Sequence, residues 1–151
     1  METLNKAISI AVAKVGTKEL TGKNDGPFMD ECLKLCKLDN QAYIKGEGKG
    51  MGYAWCAAFI SWVMVNAGVD FKPNAWAPAL LPVQKIVADK KGKPMDVFGI
   101  NYNNITNGHV GFVLVWPEEG DSFVSLEGNW GNQVCINYRK KSEVNQISRW
   151  I

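Results

Sequence analysis

The pattern of apolar and polar positions divides the chain into a helical first part and a β-rich second part. Apolar residues recur three and four positions apart over residues 3–15, which predicts an amphipathic helix. A proline opens a second predicted helix over about 27–37, since proline is tolerated in a first helical turn. Nearly every residue of 57–67 is apolar, which predicts a buried helix that ends at Gly68.

After a turn rich in lysine and glycine, the pattern changes to short runs of β-branched and aromatic residues. Turn signals at Asn107-Gly108, Glu119-Gly120 and 128–132 separate these runs. Helices followed by a series of strands predict an α+β fold, with N-terminal helices packed on an antiparallel β-sheet. With 151 residues and no repeat or linker, a single domain over 1–151 is expected. The predicted strands are MDVFGI, HVGFVLVW, SFVSLEG and QVCINYR, with ISRW as a fifth candidate.

Composition and charge exclude several classes of partner. The 17 basic and 15 acidic residues leave a net charge of +2, too small to indicate nucleic acid or an anionic membrane. No apolar stretch approaches the roughly 20 residues of a membrane-spanning helix. The segment METLNKAISIAVAKVG is interrupted by Lys6 and Lys14, so it is predicted to be a helix and not a signal peptide. We expect a monomer without nucleic-acid or membrane partners.

The four cysteines are expected to be reduced thiols, because no signal peptide indicates an oxidising compartment. Cys32 and Cys36 lie four positions apart, on one face of the second predicted helix, and are expected to fill the core. A zinc site needs more ligands at close spacing, and the chain contains a single histidine, His109. We therefore expect no metal and no cofactor.

Cys56 stands where the glycine-rich segment KGEGKGMG ends and the apolar helix begins. A helix N-terminus lowers the pKa of a thiol, because it places partial positive charge and free N–H groups beside the sulfur. A cysteine nucleophile also needs a base, and His109 lies at the start of the clearest predicted strand. Taken alone, each residue has an ordinary alternative, a core cysteine and a surface histidine.

The base in turn needs a group that fixes its tautomer and stabilises the imidazolium. The segment SLEGNWGN places Glu127 at the end of the next predicted strand and Asn129 two residues later. Antiparallel neighbours would bring Glu127 near His109 if the register allows, although both Glu127 and Asn129 could be simple turn residues. The chain order of Cys, His and Glu or Asn, with the thiol on a helix and the base on a sheet, is typical of papain-like cysteine hydrolases.

Three segments, WCAAFISWVMVNAGV, GHVGFVLVW and LEGNWGN, resemble the signature segments of the CHAP domain, the cysteine, histidine-dependent amidohydrolase/peptidase family. The resemblance extends roughly from residue 5 to 138, with one departure in a turn, where Met95 stands in place of a common glycine. Some endolysins of this type hold calcium on closely spaced aspartates, and Asn24, Asp25, Asp30 and Glu31 do not reproduce that pattern.

The resemblance implies a papain-like fold and hydrolysis of an amide bond in peptidoglycan or its muropeptides. On this interpretation Cys56 attacks the carbonyl, His109 transfers protons, Glu127 orients His109, and Asn129 assists. The Cys56 backbone N–H is an expected oxyanion donor, with Tyr53 as the candidate for a second. Candidate substrate-binding residues are Tyr53, Trp55, Trp76 and Trp130, and core packing is the alternative for the three tryptophans.

Several alternatives stay open at this point. The bond that is cut is not specified, nor is the choice between a phage endolysin, a bacterial autolysin and a toxin delivered to a rival cell. A non-catalytic wall-binding module of the same fold is a second class, and a redox protein using Cys32 and Cys36 is a third, although their spacing is not Cys-x-x-Cys. Synthesis in the cytoplasm, with action at the wall or periplasm after export or lysis, is expected. A protein inhibitor or immunity partner is left open.

Overall fold

Three α-helices form the first half of the described chain, which in this computed structural model comprises residues 1–38, 53–101 and 108–151. Two of them keep close to their predicted ranges, whereas α1 ends earlier than expected, because turns occupy the residues between Val12 and Gly16. The predicted glycine-rich loop and Asn107 lie outside the described residues. The helices are α1 (Glu2–Val12), α2 (Pro27–Leu35) and α3 (Cys56–Ala67).

Helix α3 is the centre of the helical layer. It is apolar on all sides, so it can be covered by other elements around its whole circumference. Ala7 and Ala11 of α1 are fully buried, and α2 contributes a buried face that includes Met29 and Leu33. The helix ends at Gly68, whose φ of 83° is a left-handed conformation that glycine adopts without a steric penalty.

Five strands form one antiparallel sheet, in the order β4-β3-β2-β1-β5. The last strand pairs with the first, so that Val97 faces Ser148. The α+β prediction is confirmed, including the fifth strand near the C-terminus. The strands are β1 (Val97–Asn101), β2 (Gly108–Val115), β3 (Ser122–Trp130), β4 (Gln133–Lys140) and β5 (Gln146–Ser148).

The sheet carries apolar clusters on both faces. Val110, Phe112 and Leu126 belong to the main core that includes α3. A second cluster contains Phe98, Ile100, Val113, Phe123, Val144 and Ile147. Successive side chains of a strand point to opposite faces, so His109 lies on the face opposite to Val110. His109 and Glu127 therefore lie on the face of the second cluster, whereas Cys56 belongs to the main core.

One sequence prediction about β3 is wrong. The strand was expected to end at Glu127, with a turn over 128–132, but it continues to Trp130 through an irregularity in its pairing with β4. Asn129 lies in that irregularity with a φ of 60°, and the turn to β4 follows at 131–132. A bulge re-aims side chains next to it, and this one directly follows Glu127.

The segments at both ends of the chain are bound to the sheet. The Gly16 N–H donates to the carbonyl of Val134 at 2.8 Å, and Lys18 bridges to Gln133. At the other end, the guanidinium of Arg149 donates to both carboxylate oxygens of Asp96, at 2.9 and 2.7 Å. No helix within the described residues has the length and apolar character needed to cross a membrane.

Candidate active site

Cys56 is the first residue of α3, at the point where the loop turns into the buried helix. Only 6% of Cys56 is exposed, and the backbone N–H groups of Val110 and Ala57 near its sulfur help to lower the pKa of the thiol. The preceding Trp55 is fully buried, and its indole N–H donates to Glu19 Oε1 at 2.8 Å. This anchor holds the start of α3 against the N-terminal segment, which fixes the place of the thiol.

His109 lies between Cys56 and Glu127. Its Nε2 is 2.7 Å from Glu127 Oε2, and its ring is close enough to the Cys56 thiol for each group to shift the pKa of the other. Since Nε2 is engaged by the carboxylate, Nδ1 is the ring nitrogen left for the sulfur. The three side chains predicted from separate motifs are thus brought together.

The strand register explains how Glu127 reaches His109. Phe112 faces Leu126 across β2 and β3, which places Glu127 beside Gly111 and diagonal to His109. A Cβ atom on Gly111 would lie 2.9 Å from Glu127 Cγ and 2.7 Å from the Phe98 ring. The glycine in the His-Val-Gly motif therefore leaves the space that the Glu127 side chain crosses.

Glu127 is fully buried and accepts hydrogen bonds on both oxygens. Arg139 donates through Nε to Oε1 at 2.9 Å and through Nη2 to Oε2 at 2.7 Å. The Ser125 hydroxyl donates to Oε1 at 2.5 Å. Sequence reasoning missed both residues. The available signal was the arginine in QVCINYR, a charged residue within a run otherwise typical of a half-buried strand.

These contacts shift the pKa values of the three central groups. Burial acts to raise the pKa of Cys56, but hydrogen bonding and charge from His109 outweigh it, so the pKa is lowered. Burial opposes the charged form of His109, yet bonds to Cys56 and Glu127 raise its pKa to about 9. Burial also opposes ionisation of Glu127, and the hydrogen bonds from Arg139 and His109 bring its pKa down to about 2. A thiolate and an imidazolium are the forms that this arrangement favours near neutral pH.

The other three cysteines lack this environment. Burial, followed by the charge of Glu31, raises the pKa of Cys32. Burial also raises the pKa of Cys36 and of Cys135. All four cysteines are free thiols, so Cys32 and Cys36 form no disulfide.

The predicted substrate-binding residues are placed differently from one another. Trp55 is fully buried and its indole N–H donates to Glu19, which matches the core-packing alternative for this residue. Tyr53, Trp76 and Trp130 are 51%, 55% and 38% exposed and stay candidates. Trp130 has a second set of contacts, since its ring lies 4.0 Å from the Arg139 guanidinium and 5.6 Å from the His109 ring.

Asn129 is half-buried within the β3 irregularity. The hydrogen bond described for the His109 ring is made to Glu127, and the pKa of His109 responds to Cys56 and Glu127. Its assisting role stays a prediction.

A cavity of about 480 Å³ opens beside His109. Apart from His109, the described residues that line it have small, apolar or amide side chains, with no carboxylate, lysine or arginine among them. This part of the lining suits an uncharged portion of a ligand better than an ionised one. Besides His109, it is lined by Ala77, Pro78, Leu81, Gly99, Ile100, Gly108, Val110, Asn145 and Gln146.

The acidic loop near the N-terminus is built from internal hydrogen bonds. The Asp25 carboxylate accepts from the Thr21 backbone N–H and from the Thr21 hydroxyl, both at 2.9 Å. Over residues 1–38, 53–101 and 108–151, no three His, Cys, Asp or Glu side chains are grouped to hold a metal ion.

A buried thiol at a helix start, paired with a histidine on an antiparallel sheet, defines a cysteine hydrolase of the papain-like kind. The family model of the CHAP domain matches residues 48–129, more than half of the chain. The protein belongs to the CHAP family, which comprises cysteine- and histidine-dependent amidohydrolases and peptidases. The matched segment contains Cys56, His109, Glu127 and Asn129, and it ends before Arg139. A search of curated proteins finds no match.

Proposed function

We propose that the protein is a peptidoglycan hydrolase that cuts an amide bond, acting as an N-acetylmuramoyl-L-alanine amidase or as a stem-peptide or cross-bridge endopeptidase. The observation that carries this proposal is the Cys56–His109–Glu127 arrangement in a member of the CHAP family. We further propose that the protein acts at the cell wall or in the periplasm, after export or lysis.

The proposed reaction begins with the Cys56 thiolate attacking the amide carbonyl carbon. The C–S bond forms, and the oxygen takes up the negative charge in a tetrahedral intermediate. His109 then gives its Nδ1 proton to the amide nitrogen, so the C–N bond breaks and the amine leaves. In the second half, the neutral His109 takes a proton from water, which attacks the thioester and releases the acid and the Cys56 thiolate.

The start of α3 supplies the expected oxyanion donor. The first backbone N–H groups of a helix have no intrahelical partner, and the Cys56 N–H belongs to that set. Removing one donor of this kind elsewhere lowers turnover about 10²–10³-fold. Tyr53, exposed and just before the helix, stays the candidate second source.

The cavity beside His109 supports a location for the leaving amine. His109 lines this cavity and is also the group that protonates the amine. We therefore propose that the amine side of the scissile bond enters here, through an uncharged portion of the wall peptide.

Digestion of purified sacculi, followed by mass spectrometry of the released muropeptides, tests the proposal. We expect products that carry one new amino terminus or a free lactyl carboxylate, and the product masses identify the bond. Cys56→Ala should release none of them. Cys36→Ala makes the same chemical change in the thiol that directly follows α2 and should digest like the wild type.

Two results would contradict the proposed function. If the wild-type protein sediments with sacculi but does not digest them, the wall-binding alternative is favoured. Muropeptide release by Cys56→Ala at the wild-type rate would exclude the thiol mechanism.

A further inference from the structure

Arg139 binds the same Glu127 carboxylate that His109 contacts. Its guanidinium makes two parallel hydrogen bonds to the carboxylate, at 2.9 and 2.7 Å, and the residue is 5% exposed. The ring of Trp130 covers the guanidinium at 4.0 Å. A bidentate arginine fixes both the position and the orientation of the carboxylate that it binds.

The contact between Arg139 and Glu127 affects the other site residues, because charged groups follow one another across the site. Cys56, His109, Glu127 and Arg139 form a series of neighbouring groups in which negative and positive charges alternate. Nearby groups complete the surroundings: the Cys135 thiol faces Glu127, and Glu143 lies 3.9 Å from Arg139 Nη1 at the protein surface. Burying a carboxylate without a cation is strongly unfavourable, and the pair with Arg139 offsets this penalty.

We propose that Arg139 is a positioning residue for the hydrolase reaction, which holds Glu127 ionised and aimed at His109 throughout the catalytic cycle. The inference rests on the proposed function only in taking Cys56 and His109 as the reacting groups. Arg139 lies outside the segment that matches the family model, so the match does not assign it.

The acyl-enzyme stage is where Arg139 matters most. After His109 has given its proton to the leaving amine, the imidazole is neutral and Cys56 is a neutral thioester. Glu127 then has no charge partner on the His109 side, and a proton could move onto the carboxylate. With Arg139 in place Glu127 stays an acceptor, so His109 keeps the tautomer whose free Nδ1 takes the proton from water.

The test compares Arg139→Met and Arg139→Lys with a matched control, Arg149→Met. Arg149 also makes a bidentate pair with a buried carboxylate, that of Asp96, away from His109. The readout is the rate of Cys56 alkylation by iodoacetamide between pH 4 and 10, located by peptide mapping, with the melting temperature of each variant alongside. This readout follows the thiolate and needs no wall substrate, so it is independent of the bond that the enzyme cuts.

We expect the acid midpoint of the alkylation profile to move upward by about one pH unit or more in Arg139→Met. A nearby arginine lowers a carboxyl pKa by about 1–3 units, and without it Glu127 takes up a proton at higher pH and stops supporting the imidazolium. Arg139→Lys keeps the positive charge but cannot make the two parallel hydrogen bonds of the guanidinium. The acid midpoint of its alkylation profile should therefore move less than that of Arg139→Met. Arg149→Met should melt earlier than the wild type and keep the wild-type profile.

A purely structural Arg139 would give the opposite pattern. Arg139→Met would then melt earlier but titrate like the wild type, and this result would overturn the proposal. If Arg139→Met does not fold, Arg139→Lys decides by the same criterion, and a profile that coincides with the wild type rejects the positioning role. If the profiles shift as expected while the wild type releases no muropeptide, the substrate assignment fails and the role of Arg139 stands.

Discussion

At the scale of single residues, Glu127 carries the largest share of the site's interactions. It is fully buried and connects β2, β3 and β4 by accepting from His109, Ser125 and Arg139. Removing one partner of a buried ion pair is costly, since the charge that remains has neither water nor a counter-ion. Changes at Glu127 should therefore affect stability as well as turnover.

Glu127→Gln is expected to lower both. The glutamine keeps the shape of the side chain but loses the charge, and its amide NH₂ would face the donors of His109 or Arg139. We expect turnover to fall about 10²-fold or more, and unfolding free energy to fall by about 3–5 kcal/mol. Muropeptide release and denaturant unfolding measure the two effects. If Glu127→Gln turned over like the wild type, Glu127 would not be the residue that orients His109, and Asn129 would be the remaining candidate.

Cys56 is expected to react with iodoacetamide before the other cysteines at neutral pH. Its pKa is lowered, whereas burial raises the pKa values of Cys32, Cys36 and Cys135. Limiting reagent and peptide mapping give the order of labelling. First labelling at Cys32 or Cys36 would contradict the thiolate assignment and favour the redox alternative.

Hydrolysis should decline as the pH rises through about 9, while alkylation of Cys56 should not. The pKa of His109 is raised to about 9, so below that value the imidazolium holds the proton that the leaving amine needs. Above it the imidazole is neutral, yet Cys56 remains a thiolate. Parallel pH profiles of muropeptide release and alkylation measure the separation. An alkaline decline in both would point to unfolding or to another group.

The residue types at the centre of the site could be predicted because each carries its own chemical signal. A thiol at a helix start, a single histidine at a strand start and an acid on the next strand are visible in the sequence. Arg139 could not be assigned, because its role depends on the pairing of β3 with β4. The contact between Trp55 and Glu19 could not be predicted either, because Glu19 precedes the whole α2 segment.

At the scale of elements, the distance between α3 and β3 depends on Gly128. A Cβ atom there would lie 2.8 Å from Phe59 Cβ, and neither atom can move without its backbone. Phe59 is one turn after Cys56 on α3. The helix that carries the thiol and the strand that carries Glu127 therefore approach each other at a point that requires glycine.

Gly128→Ala should lower turnover more than stability alone explains. Overpacking costs about 1–3 kcal/mol, and a shift of about 1 Å in a reacting group costs about 10²-fold in rate. Gly92→Ala is the matched control, because its Cβ would lie 2.9 Å from Trp116, beyond the far end of β2. We expect similar melting temperatures and a deficit in kcat/KM for Gly128→Ala alone. Equal kcat/KM values for Gly128→Ala and Gly92→Ala would mean that a shift of α3 relative to β3 does not disturb the reacting groups.

The type of each element could be predicted from the periodicity of apolar residues. The residues at which elements end were harder to predict. The strand runs and the apolar helix were identified because their patterns repeat over many residues. The extension of β3 past Glu127 was not predicted, since Gly128 and Asn129 look like turn residues. Pairing with β4 and the left-handed conformation of Asn129 carry the strand onward instead.

At the scale of the whole molecule, the described fold extends beyond the segment that matches the family model on both sides. Residues 48–129 exclude α1, α2, β4 and β5. Ala7, Ala11, Met29 and Leu33 are fully buried members of the main core, and all four precede that segment. The partners of Trp55 and Glu127, namely Glu19 and Arg139, lie outside it as well.

A fragment of residues 48–129 should therefore not fold. It would expose the face of α3 that packs on α1 and α2, and it would leave the Glu127 carboxylate buried without its arginine. We expect an unfolded circular dichroism spectrum and rapid proteolysis, with the full chain as the control. A cooperative melting transition in the fragment would show that the matched segment contains enough core by itself.

The position of β5 in the sheet has a consequence for biosynthesis. The last strand pairs with the first, Ser148 Oγ donates to the Leu80 carbonyl at 2.7 Å, and Arg149 closes on Asp96. A ribosome releases Cys56 first, then His109, Glu127 and Arg139, and only then the strand that completes the sheet. We expect a nascent chain that still lacks β5 to carry an ordinary, unactivated thiol, because the sheet that positions His109 and Glu127 is then incomplete.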